Sequence, residues 1–250
     1  MIVGNDQNFS IESSSTIAAF SDYQSDGVRQ SDIGIGFING IANSMEYAIG
    51  HVDYIHSLAQ GYSVDLFYNQ TDGFYYDLLN TMFGNGIDSC SKEVEQLKSA
   101  WIQFDEANKN DPRAKYLQIC HSQGGAYVKK ALEDSPQEIR DRIIVVNIAV
   151  ATIVPRDLCY RSYNYASEND YLNLYEMLKA YDPNLSLMDL QQWTQMMKYR
   201  DEIIWLEGSF GPWWVPDKIY QLYYMHHEFQ DPVFHDVIAN RIADYLSGSF

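Results

Sequence analysis

The residues of this chain best suited to do chemistry lie together in Cys120-His121-Ser122-Gln123-Gly124-Gly125. The apolar run Lys115 to Cys120 precedes them and reads as a buried strand, and Gly125 to Asp134 follows with helical spacing. A serine on a tight strand-to-helix turn has its hydroxyl held clear of the sheet. The helix behind it points its positive end at any charge developing there. Such a turn needs small residues two before and two after the serine. Gly124 meets the second requirement, and Cys120, small but not glycine, stands at the first.

A serine hydroxyl becomes a nucleophile only when a base takes its proton and a carboxylate orients that base. Asp170 is the expected carboxylate, in the turn Ser167-Glu168-Asn169-Asp170 after a strand, with Glu168 and Asp157 as alternatives. His227 is the expected base, in Met225-His226-His227-Glu228-Phe229. His226 is its immediate rival, and His235 sits in the closing helix. His121, beside the nucleophile, reads as structural. The developing oxyanion needs two backbone N–H donors. These are expected from Gln123 and from Ile41, with Gly40 letting the backbone come close. Each piece also has a plain reading: a Gly-rich helix start, a capped polar turn, a loop histidine, an Asn-Gly turn. Their occurrence together, in the order serine, acid, base, favours the nucleophile.

The elements that must position these groups follow from periodicity. Ile33 to Ile38 reads as a short strand ending at Asn39-Gly40, and Asn43 to Gln60 as a helix with Met45, Ile49, Val52, Ile55 and Ala59 on one face. Ser63 to Tyr68 is a second strand, ended by Asn69. Ser91 to Asn108 is a helix, and Ile143 to Ala151 is the most strand-like run, interrupted only by Asn147. Weaker strands are expected at Ser162 to Ala166 and Ile203 to Leu206, and a last helix at Val233 to Leu246. Alternating strands and helices predict an α/β fold with a mainly parallel central sheet covered by helices on both faces. Residues 1–32 read as a polar lead-in and 33–250 as one domain. Within it the Leu- and Met-rich stretch 171–200 could form a lid or ordinary core helices.

Composition bounds the function classes. The 250 residues carry a formal net charge of −17, which disfavours nucleic acid and anionic membrane surfaces as partners. The three cysteines, Cys90, Cys120 and Cys159, fit neither a disulfide framework nor a zinc motif, and suggest a reducing compartment. No stretch has the apolar length of a membrane span, so the expectation is a cytoplasmic protein with no integral membrane segment. Leaderless secretion is the alternative localisation. The serine chemistry expected here needs no metal or organic cofactor. Trp213 and Trp214, between Pro212 and Pro216, together with Met196, are the expected lining of an apolar substrate pocket.

The turn around Ser122, the Asn-Gly-Ile loop and the His227-x-Phe229 ending resemble the lipase and esterase branch of the α/β-hydrolase superfamily. More narrowly, F-I-N-G-I, L-F-Y-N-Q-T-D-G-F, I-C-H-S-Q-G-G and R-D-R-I-I-V-V-N-I-A resemble a family of uncharacterised proteins from chlamydiae. Those segments extend over Phe37 to Ala149, with weaker likeness as far as Asp170. The first resemblance implies the fold and a Ser-Asp-His triad. The expected reaction is hydrolysis of a carboxylic ester or thioester, with a small-molecule or lipid-like acyl ester as substrate. The second implies an obligate intracellular bacterium and lends no substrate. The reading from a different class is a hydrolase fold kept as a catalytically inactive binding module, a separation that fold alone cannot make.

Overall fold

The computed structural model describes residues 21–41, 43–70, 88–167, 170, 201–207 and 228–250. Their strands are β1 (Tyr23–Gln24), β2 (Ile33–Ile38), β3 (Asp65–Phe67), β4 (Lys115–His121), β5 (Ile143–Ile148), β6 (Arg161–Ser167) and β7 (Ile203–Leu206). The helices are α1 (Met45–Leu58), α2 (Lys92–Ala107), α3 (Gly124–Glu133), the single turn α4 (Gln137–Arg140) and α5 (Pro232–Ser247). The strands form one sheet in the order β1-β3-β2-β4-β5-β6-β7. Every pairing is parallel except that of β1 with β3.

Local chemistry starts the helices where the sequence expects them. The Ser44 and Ser91 hydroxyls accept from Tyr47 N–H (3.2 Å) and Val94 N–H (3.4 Å), capping α1 and α2. The Asp231 carboxylate caps α5 through Val233 N–H at 3.0 Å, with Pro232 in the first helical turn. One difference from expectation lies before β2. Tyr23–Gln24, within the stretch expected as a polar lead-in, pairs with Asp65 and Leu66 as an edge strand. Two residues carry no alternation to read, so only the long-range pairing reveals them.

Side chains alternate across the sheet, and each face has its own core. On one face Ile35, Phe37, Leu117, Ile119, Ile144 and Val146 pack beneath α1 and α5. On the other, Tyr116, Cys120, Ile143 and Val145 pack beneath α2, α3 and α4. β4 and β5 are buried along their whole length, which is why they read as almost unbroken apolar runs. At the amino-terminal rim the Tyr245 hydroxyl of α5 donates to Lys115 C=O (2.6 Å) and accepts from Gly34 N–H (3.0 Å), bracing β2 against β4.

The connections decide where a site can form. β2 continues through α1 to β3 on one side, while β4 continues through α3 to β5 on the other. The two helices lie on opposite faces, as a single handedness of crossover requires. The chain therefore diverges between β2 and β4. In open parallel sheets a crevice forms outside the carboxyl ends of the strands at such a switch point. No helix among the described residues is long and apolar enough to cross a membrane.

Candidate active site

At the carboxyl end of β4 the backbone turns sharply. Ser122 has φ of +50°, a left-handed conformation unusual for a residue with a side chain, and its N–H donates to Ile148 C=O at 2.9 Å. Gly125 N–H then donates to Ser122 C=O (3.1 Å) and Ala126 N–H to Gln123 C=O (2.9 Å), so the helix begins within two residues. Ser122 is 2% exposed.

Tight approach surrounds the turn. A Cβ at Gly124 would stand 2.8 Å from Ile38 C=O oxygen and 3.0 Å from that of Asn39, so only glycine lets α3 start this close to β2. A Cβ at Gly40 would stand 2.9 Å from Ser122 Cβ. The structure thus brings Ser122, Gln123 and Gly40 together at the switch point, with Ile41 next along the chain. Cys120 is accommodated because its thiol packs in the α2–α3 core and donates to Asn147 Oδ1 at 3.4 Å, an oxygen that has room because Gly125 has no side chain (a Cβ there would stand 2.8 Å from it). Burial and the neighbouring Cys159 push this thiol far above its ordinary range, so it packs as a small apolar group.

The acid candidates separate by rim. Asp170 follows β6 at the same rim as Ser122, 1% exposed, with its N–H donating to Ser167 C=O at 3.1 Å. Asp157 is exposed and precedes β6, towards the opposite rim. His227 and its rival His226, the alternative acid Glu168, the pocket candidates Trp213, Trp214 and Met196, and the stretch 171–200 all lie outside the described residues. Phe229, two residues beyond His227, is fully buried and packs its ring against those of Phe37 (4.8 Å), His51 (5.0 Å) and His121 (5.9 Å). Phe229 is therefore anchored on the residue that precedes Ser122. His235 sits on the exposed side of α5.

Several polar residues here escaped the sequence reading. Asn39 and Asn69, which mark the ends of β2 and β3, are buried and bonded to one another, and the Asn69 amide donates to Gln123 Oε1 at 2.9 Å. His51 on α1 is 1% exposed, and among the described residues neither of its ring nitrogens has a hydrogen-bond partner. Burial lowers its pKa to about 4, so the ring is neutral at pH 7. The one signal that could have found the asparagines is their shared place, each just past the end of one of two parallel strands. Among the described residues no group of three or more His, Cys, Asp or Glu could hold a metal ion.

With this geometry in view, comparison with known families gives one match. The family described as "Protein of unknown function (DUF687)" matches residues 4–178. The chain belongs to this family. No curated protein and no solved structure matched it. The part matched to DUF687 includes Gly40, Asn69, the Ser122 turn and Asp170, but ends before His227.

Proposed function

We propose that this DUF687 protein is a serine hydrolase of the α/β-hydrolase type that cleaves a carboxylic ester or thioester. The observation that carries the reading is Ser122 itself: a left-handed serine between a buried parallel strand and a helix start, at the switch point of the sheet. Ser122 Oγ attacks the carbonyl carbon while His227 accepts its proton and Asp170 orients the imidazole. The N–H groups of Gln123 and Ile41 stabilise the oxyanion. Collapse of the tetrahedral species passes the proton to the leaving alcohol or thiol. Water, activated by the same histidine, then releases the acid and restores the serine. Trp213, Trp214 and Met196 are the proposed apolar lining for the acyl group.

The test is intact-mass analysis after treatment with a fluorophosphonate, using Ser122→Ala and His227→Ala as controls. The expected outcome is one adduct per chain, absent in Ser122→Ala and slowed at least ~100-fold in His227→Ala. A folded wild-type protein that takes no label would overturn the reading.

A further inference from the structure

The two proposed oxyanion donors sit on different segments, one after β2 and one after β4. The ladder does not hold these segments together, because β2–β4 pairing stops at Ile38–Cys120. A third segment, the end of β3, makes the connection. Asn69 N–H donates to Asn39 Oδ1 at 2.9 Å, and Asn39 Nδ2 donates both to Asn69 C=O at 3.0 Å and to Gly40 C=O at 2.9 Å. This pair prolongs the β2–β3 ladder with a side chain and pins the backbone next to Ile41. The Asn69 side chain then crosses to the other segment, where Nδ2 donates to Gln123 Oε1 at 2.9 Å. Asn39, Asn69 and Gln123 are 0%, 1% and 8% exposed, so water competes little for these bonds.

Closing β3 onto β2 requires only the Asn39 amide and the Asn69 backbone. The Asn69 side chain adds nothing to that closure. It reaches Gln123, which stands at the N-cap of α3 yet makes no side-chain cap bond. Its carbonyl oxygen is given to Asn69 instead. We propose that Asn69 is a positioning residue, setting the spacing between the Gln123 and Ile41 N–H groups. The inference rests on the serine-hydrolase reading. Donors work when they lie within hydrogen-bonding distance of the oxyanion, and an error of about 1 Å is worth roughly 100-fold in rate.

The probe pair is a fluorophosphonate and its P=S counterpart, which differ only in the atom that enters the oxyanion site. Sulfur is larger and a weaker acceptor, so labelling by the P=O compound depends on donor placement far more than labelling by the P=S compound. Wild type is compared with Asn69→Ala, Asn69→Asp (the same shape without the donor) and Gln123→Ala, which removes the acceptor but keeps the backbone N–H. The expected result is a ~10- to 100-fold fall in P=O labelling with P=S labelling within about threefold. The Asn69→Ala/Gln123→Ala double variant should be no slower than either single one, because both break the same link. Equal slowing of both probes, or no slowing, would assign the bond to fold stability alone and overturn the inference, leaving the nucleophile intact. If Asn69→Ala does not fold, Gln123→Ala gives the same readout at the more exposed end of the bond. A wild type that takes neither label removes the hydrolase reading, and this inference with it.

Discussion

Two adjacent strands end in the same way, and only one of the endings has the surroundings of a reactive site. Ser122 after β4 and Ala149 after β5 have φ of +50° and +51°, each one residue beyond its strand. Each conformation costs about 1–2 kcal/mol for a residue with a side chain. Past that point they differ. Ser122 leads within two residues into α3 and faces the close backbone of Gly40, whereas Ala149 buries its methyl in the core and the chain runs to β6 without a helix. A left-handed residue marks a place where the chain must leave a strand abruptly. Chemistry needs the helix terminus, the facing loop and a side chain with a proton to lose.

The largest effect should come from crowding the Ser122 turn. Gly124→Ala puts a carbon against two backbone oxygens, neither of which can swing aside. Fluorophosphonate labelling should fall by roughly 100-fold, and denaturant unfolding should show a loss of about 1–3 kcal/mol. Labelling at the wild-type rate would mean that the tight approach does not position the serine.

Next in size is a pH effect confined to the Ser122 side. His51 takes a proton near 6.5 in the unfolded chain but only at about 4 in the fold, because burial disfavours its charged form. Between these values the unfolded chain binds the extra proton. Stability should therefore fall on acidification from pH 6.5 to 4, by up to about 3 kcal/mol, and this contribution should level off below pH 4. Denaturant unfolding of His51→Phe across that range should lack the His51 part of the slope. An unchanged slope would place the acid sensitivity elsewhere. The polar groups near Ala149 are different in kind: Asn147 and Asn164 are bonded to one another (3.0 Å) and to Thr152, Val154 and Glu202 carbonyls, and carry no titrating proton.

The smallest effect is the control. Ala149→Gly relieves the left-handed strain but loosens the unfolded chain and removes a buried methyl, so stability should move by less than about 1 kcal/mol. Labelling should not change. A fall in labelling comparable to that of Gly124→Ala would show that the two turns are mechanically linked, through Ser122 N–H and Ile148 C=O.

The parts of this arrangement that follow a period were legible in the sequence. β2, β4 and β5 are apolar runs, and α1, α2 and α5 carry a side-chain cap or proline at their start, so their extents fall within a few residues of expectation. The turn at Ser122 was legible because Gly124 sits at a fixed offset from it. What could not be read depends on residues brought together from afar. β1 has too few residues to show alternation, and Asn147 looks like a blemish in β5 until Cys120 and Asn164 are seen beside it. Asn39 and Asn69 look like ordinary strand ends, and their shared place past two strands becomes a signal only once those strands are known to be neighbours. His51 has the spacing of any buried position on α1, and its lack of a hydrogen-bond partner among the described residues is visible only in three dimensions.

The brace formed by Tyr245 has a consequence for the order in which the molecule is made. It joins the last helix to Lys115 and Gly34, residues synthesised long before it, and the same helix covers the face formed by Ile35, Leu117, Ile119, Ile144 and Val146. While the chain leaves the ribosome, β2 to β5 can pair and α1 can cover part of this face, yet the part beneath α5 stays exposed until residues 232–247 emerge. Arrival of α5 shields that part of the face and seats Phe229 against Phe37 and His121, so the core beside the Ser122 turn closes only then.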